Sequence, residues 1–172
     1  PVIGLTLTAS NISHTDTAEN VTLAAENLGG NEVVWTVLRD GVEIAPPFDL
    51  SASGGHGFLP EAGFYTFTAS VTDELGRVTT AAASIQVYPV GAASFYLPKM
   101  FHTDSVVTLV TGFEALGENP LRWSLTRNGE TVPVADYVTG ELAADGGKLQ
   151  FKQAGDYQLR ASFKDAGGRA YS

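Results

Sequence analysis

A 17-residue phrase occurs twice in this chain, and that repeat constrains the fold more than any other feature. "EAGFYTFTASVTDELGR" (Glu61 to Arg77) returns 92 positions later as "QAGDYQLRASFKDAGGR" (Gln153 to Arg169), with eight of the 17 pairs identical. The echo is longer than the phrase. "HTDTAENVTL" (from His14) answers "HTDSVVTL" (from His102), and "ENLGGNEVVWTVLRDGVEI" (from Glu26) answers "EALGENPLRWSLTRNGETV" (from Glu114). The offset drifts through 88, 86, 88 and 92, as it does when loops gain or lose residues while regular elements stay fixed. A period of about 90 residues is too long for a solenoid unit and matches a small self-contained domain. The chain is therefore expected to be a tandem, residues 1–89 followed by residues 90–172. The boundary falls at "VYPVGAAS", where Pro89 and Gly91 interrupt the pattern.

Period-two alternation runs through both copies. In "VTLAAE" Val21, Leu23 and Ala25 share a face; in "VVWTVLR" Val33, Trp35 and Val37 do; in "FYTFTASV" Tyr65, Phe67, Ala69 and Val71 do. Thr, Ser and Gln fill much of the opposite face, as half-buried antiparallel strands require. "RDGVE" and "RNGET" place Asp40-Gly41 and Asn128-Gly129 between short strands, and such pairs accept the positive φ of tight hairpins. "DELGR" and "DAGGR" close a second hairpin in each copy. No segment sustains a helical period for three turns; "ADYVTGELAADGG" (Ala135 to Gly147) is interrupted by Gly140 and reads as loop plus strand. Seven or so short strands per copy, with turns every 8–12 residues, predict an all-β chain of two β-sandwiches.

"EAGFYTF" and "QAGDYQL" resemble the immunoglobulin-type corner, in which a polar residue, Ala-Gly and Tyr precede strand F. The resemblance spans both copies. It implies that the hydroxyls of Tyr65 and Tyr157 bond back to nearby backbone, and that Trp35 and Trp123 are the strand-C core tryptophans. It also places Ala25 and Phe67, and Thr111 and Leu159, where such domains carry their bridging cysteines, so packing replaces the bridge. The ending "GFYTFTASVTDELGRVTTAAASIQVYP" is similar to polycystic-kidney-disease-type (PKD) repeats and other bacterial immunoglobulin-like repeats. "WTVLRDG" departs from the "W-D-F-G-D-G" block of the PKD group, which points to the broader family. The implied fold is two tandem immunoglobulin-like sandwiches from a large secreted or wall-attached bacterial protein. The second would lack most of its last strand, because the counterpart of Ala81 to Pro89 is missing after "AYS".

The other kept residues have physical roles in that frame. Gly63 and Gly155 are expected to permit the corner, and Gly76 and Gly168 the hairpin turn. Ala69 and Ala161 leave room between closely approaching elements. Asp73 and Asp165 are placed to cap the turn, with Arg77 and Arg169 four residues on as partners.

Charge and chemistry narrow the function classes. Ten Lys and Arg against 19 Asp and Glu give a net charge of −9, which argues against nucleic acid as a partner. Residues 1–89 carry two basic and ten acidic residues, residues 90–172 eight and nine. With no cysteine there is no disulfide, thiol catalysis or zinc–thiolate site. No apolar run approaches the roughly 18 residues of a membrane span, so no membrane insertion is expected. No charged leader precedes an apolar stretch, and the abrupt ends read as a piece of something longer. The three histidines, His14, His56 and His102, lack metal-ligand spacing, and His14 and His102 read as loop residues. No G-x-S-x-G or P-loop motif occurs, so an enzyme is not expected and no cofactor is implied. Calcium is the one ion to weigh, on Asp16, Glu19, Asp73 and Glu74, although no EF-hand loop is present. "NIS" (Asn11) and "NVT" (Asn20) fit the N-glycosylation pattern.

The leading expectation is a non-catalytic spacer or adhesion module of an extracellular, cell-surface protein, a monomeric segment of a longer chain. A binding module for a glycan or a protein is the alternative. It would use aromatics that no core face claims: Phe48, Phe58, Phe95, Tyr96 and Phe101. An accessory domain of a secreted enzyme is the third reading.

Overall fold

A computed structural model describes residues 5–10, 12–26, 31–118 and 120–172. The chain divides into two compact units, Pro1–Pro89 and Val90–Ser172. The first contains β1 (Thr6–Ala9), β2 (Ile12–His14), β3 (Val21–Glu26), β4 (Val33–Arg39), β5 (Val42–Ile44), β6 (Gly54–Gly57), β7 (Gly63–Thr72) and β8 (Val78–Tyr88). β1, β3 and β6 form one antiparallel sheet. The other has the order β2-β8-β7-β4-β5, with β2 parallel to β8 and the rest antiparallel.

The alternation in the sequence explains why these two sheets face each other. Leu7, Val21, Leu23 and Ala25 leave one sheet on the same side as Val37, Tyr65, Phe67, Ala69, Ile85 and Val87 leave the other, and with Leu59 they form a single buried cluster. Side chains two apart along a strand share a face, so one apolar row per strand suffices to build a two-layer core.

The second unit contains β9 (Ala92–Tyr96), β10 (Val107–Glu114), β11 (Arg122–Arg127), β12 (Glu130–Val132), α1 (Val134–Tyr137), β13 (Val138–Gly140), β14 (Gly147–Phe151), β15 (Tyr157–Lys164) and β16 (Ala170–Tyr171). Its sheets run β13-β14-β10-β9 and β12-β11-β15-β16. Val107, Leu109, Leu125, Val138, Leu149 and Phe151 are its buried cluster.

The stretch read from sequence as loop plus strand differs here. α1 is one helical turn, entered directly after Pro133, whose fixed φ of −63° suits a helix start, and closed by the extended Val138. Four residues are too few to leave a periodic trace. Equivalent ladders keep the same register in both units: Trp35 lies opposite Ala69 and Trp123 opposite Ala161. The kept alanines thus make room beside the indoles.

The units differ most at their last strand. β8 pairs with β7 over ten positions, from Gly63↔Val87 to Thr72↔Val78. β16 pairs with β15 over two, Phe163↔Tyr171 and Lys164↔Ala170.

Candidate functional site

The kept phrase folds into the same clamp twice. Tyr65 Oη donates to the Glu61 carbonyl at 2.9 Å, and Tyr157 Oη donates to the Gln153 carbonyl at 2.8 Å. Each bond closes a four-residue corner at the start of β7 or β15. A second tie, not foreseen from sequence, joins that corner to the neighbouring hairpin. Asp40 Oδ1 accepts from Phe64 N at 2.8 Å, and Asn128 Oδ1 accepts from Asp156 N at 2.9 Å. Asp40 and Asn128 sit in the left-handed region at φ 50°. The Asp-Gly and Asn-Gly pairs marked the turns; that the side chains also reach across was legible only as short polar groups tolerant of that conformation.

Gly63 and Gly155 serve less by an unusual φ than by the space they leave. A Cβ at Gly63 would meet Arg39 and Asp40 side-chain atoms at 2.9–3.3 Å, and one at Gly155 would meet Arg127 and Asn128 at 2.8–3.1 Å. Arg39 pairs with Glu61, and the Arg127 guanidinium donates to the Ala154 carbonyl at 2.5 Å. The corner is packed under an arginine in both units. Gly76 and Gly168 are different, at φ 75° and 86° with nothing near a would-be Cβ.

The two aspartates close the hairpin turns. Asp73 Oδ1 accepts from the backbone N–H groups of Leu75 and Arg77, both at 2.9 Å, and Oδ2 receives the Arg77 guanidinium at 2.6–2.7 Å. The Arg77 backbone N–H, then its guanidinium, holds this carboxyl below the ordinary value of 3.8. Asp165 likewise accepts from Arg169 N at 2.9 Å, and its other oxygen accepts from Tyr171 Oη at 2.8 Å.

The tryptophans are half-buried rather than central. Trp35 Nε1 donates to the Ser51 carbonyl at 3.0 Å. Trp123 is ringed edge-on by Phe95 and Phe113, and its buried Nε1 finds no acceptor among the described residues. Phe67 and Phe151, almost wholly buried, hold the centres of the two cores. Of the Ala25 and Thr111 positions, Ala25 is buried and Thr111 half-buried, bonded to the Ala144 carbonyl at 2.6 Å.

Two sequence readings are corrected. His14 is not a loop residue: it ends β2, is 8% exposed, and sets its ring 5.9 Å from that of Tyr88 at a tilt of 42°, while His102 lies outside any strand and is exposed. A parallel pairing with a strand more than 70 residues away fixes His14, and no local signal announces that. Asn20 is not a surface acceptor for a glycan. It is 5% exposed, donates to the carbonyls of His14 (3.1 Å) and Leu59 (2.9 Å), and accepts from Leu59 N at 2.7 Å. Asn11 lies outside the described residues.

Of the calcium candidates, Asp73 is committed to Arg77 and Glu19 stands 3.4 Å from His56. No group of three metal-ligating side chains occurs among the described residues. Two of the five unassigned aromatics join a core, Phe48 against Phe67 at 5.9 Å and Phe101 against Phe151 at 5.0 Å, while Phe95 lies edge-on to Trp123 at 5.5 Å and stays exposed. Phe58 and Tyr96 remain exposed.

A concave feature lies in the second unit, beside β15. One cavity of about 340 Å³ is lined by Ala93, Phe95, Leu159, Ala161, Tyr171 and Ser172, among others. A second, of about 900 Å³, runs between Phe95–Thr103 and Gln153–Leu159. They share Phe95, Gln158 and Leu159, so together they form one groove along the strand.

Two solved structures bear on this geometry. The chain aligns over 96% of its length with eight N-terminal Ig domains of the Down Syndrome Cell Adhesion Molecule, at TM-score 0.55 and 16% identity, covering 26% of that chain. It aligns over 96% of its length with the I-band fragment I67-I69 from titin, at TM-score 0.51 and 12% identity, covering 61% of that fragment. The fold is immunoglobulin-like. Murine CEACAM1b also aligns, over 92% of both chains, at TM-score 0.45 and 17% identity. The chain thus spans less than two thirds of the first two structures. No protein-family model matches the sequence, and no curated protein matches it. In immunoglobulin-like terms the corner tyrosines, the half-buried tryptophans and the two facing sheets fall into place together, without a disulfide.

Proposed function

We propose that this chain is a non-catalytic structural segment, two immunoglobulin-like modules that act as a spacer or adhesion stalk in a large extracellular bacterial protein. The observation that carries the reading is where the kept residues are spent. Tyr65, Tyr157, Gly63, Gly155, Asp73 and Asp165 all tie a corner or turn to its own module. Residues kept for a shared ligand would instead converge on an open surface. The bacterial origin rests on the likeness of "GFYTFTASVTDELGRVTTAAASIQVYP" to bacterial repeats, and the surface placement on that likeness together with the adhesion-molecule neighbour.

A spacer must hold under load, and single-molecule stretching measures this. Two resisting events are expected, each releasing roughly 25–30 nm for a unit of about 85 residues at 3.3–3.6 Å per residue. Extension without any resisting event would overturn the reading.

A further inference from the structure

The outward face of the β12-β11-β15-β16 sheet carries a charge pattern that its counterpart in the first unit lacks. Trp123, Leu125 and Leu159 turn toward the core of the second unit. Side chains alternate along a strand, so Arg122 and Ser124 of β11 and Arg160, Ser162 and Lys164 of β15 turn outward. Arg122 lies directly opposite Ser162, and Arg160 and Lys164 flank Ser162 along β15. Three cations thus surround one half-buried hydroxyl, successive ones about 7 Å apart along the strand direction. All three are exposed, and none forms an ion pair among the described residues. Along β15 the first acid in step with them is Asp156, four positions before Arg160 and roughly 13 Å away.

The fold does not require these charges. At the offsets of 88 and 92 the first unit has Val34, Thr68 and Thr72 in place of Arg122, Arg160 and Lys164. There the β7–β8 ladder is complete and Val34 is still 64% exposed, so the exposure belongs to the face and not to the free edge of β15. The second unit carries eight Lys and Arg in a chain of net charge −9, and three of them stand on this one face. Arg127 and Lys152, by contrast, are engaged by the Ala154 and Ala135 carbonyls of their own unit.

We propose that this face docks an anionic polysaccharide with carboxylates on successive sugars, a polyuronate. Guanidinium forks match planar carboxylates two bonds at a time, while Ser124, Gln158 and Ser162 offer partners to sugar hydroxyls. A folded protein fits less well, because the outward positions of β11 and β15 include no aromatic or large aliphatic side chain to anchor a dry interface centre. A nucleic acid fits less well too, since the net charge of −9 repels a dense run of phosphates more strongly than a sparser row of carboxylates. The ligand goes beyond the spacer reading and does not depend on it.

The 172-residue chain is titrated with a galacturonate oligosaccharide and with the methyl ester of the same oligosaccharide, which has no charge, and the amide NMR signals of β11 and β15 are followed. Arg122→Gln with Arg160→Gln is compared with Lys99→Gln with Lys148→Gln, which removes the same charge from exposed positions off this face. The acid form is expected to shift the β11 and β15 signals, and the ester to leave them in place. The arginine pair should weaken binding about tenfold and the lysine pair less than about twofold, with binding fading as salt is raised. Equal losses in both pairs, equal binding of the ester, or no shift at millimolar oligosaccharide overturns the proposal. Equal binding of a short single-stranded DNA also overturns it, as plain countercharge. Self-association that the arginine pair abolishes assigns the face to the acidic first unit of a second copy and overturns the glycan. None of these outcomes alters the stretching result expected of a spacer.

Discussion

Replacing Asn20 by Ala removes a side chain that bonds to three backbone groups, two of them on Leu59. Leu59 is wholly buried, so neither its N–H nor its carbonyl can turn to water. Each buried group left unpaired costs about 1–3 kcal/mol, and a loss of about 3 kcal/mol in the first unit is the expected sum after partial relaxation. Against a total of about 5–15 kcal/mol for a domain, that is a large share. At about 4–8 °C per kcal/mol for a domain of this size, its midpoint should fall by roughly 12–24 °C. The repeat supplies the internal control, since the matching position is Val106, which is 62% exposed and makes no such tie. Urea unfolding read by Trp35 fluorescence in a Trp123→Phe background isolates the first unit. Asn20→Asp should not rescue at neutral pH, because it keeps the acceptor, loses both donors and adds a buried charge. A shift below about 0.5 kcal/mol for Asn20→Ala would refute the reasoning, since that is the size of an ordinary surface change.

Other outcomes follow from the same geometry. Trp35→Ala should cost the first unit about 3 kcal/mol, the low end for a large aromatic because the indole is half-buried, as measured in the same urea titration with intrinsic tyrosine as reporter. Gly76→Ala and Gly168→Ala should each cost about 1–2 kcal/mol from the left-handed backbone alone, since a methyl group there meets nothing; calorimetry would read both, and a neutral result would contradict the conformational account. Asp73 has its carboxyl held low in the folded state, so its contribution is present above the unfolded value of about 3.9 and is lost as pH falls through the lower folded value. Asp73→Asn should therefore flatten the acid limb of the first unit's melting profile, and an unchanged limb would refute the assignment.

The parts of this fold visible in the sequence were those carried by short-range pattern or by repetition. Alternation placed Val21, Leu23, Val37, Phe67 and Ile85 inside, and the Asp-Gly and Asn-Gly pairs marked their hairpins, because both effects act within a few residues. The tyrosine corner was legible because its bond spans four residues. Asn20 was not, because its partner Leu59 lies 39 residues away and an Asn between two turns looks like any surface Asn. His14 was misread for the same reason: β2 exists through pairing with β8, which nothing near His14 encodes. The strand-C tryptophans were legible from their place in the repeat, and both pack half-buried against their cores, with the small kept alanines opposite them.

That the first repeat folds as a unit by itself is open to a direct measurement, the amide NMR spectrum of residues 1–89 expressed alone. All of the ties described for that unit, from the Tyr65 corner to the Asn20 clamp and the ten-position β7–β8 ladder, lie within those residues. A dispersed spectrum with slow exchange for the amides of β4 and β7 is the expected result. A collapsed spectrum typical of an unfolded chain would contradict it.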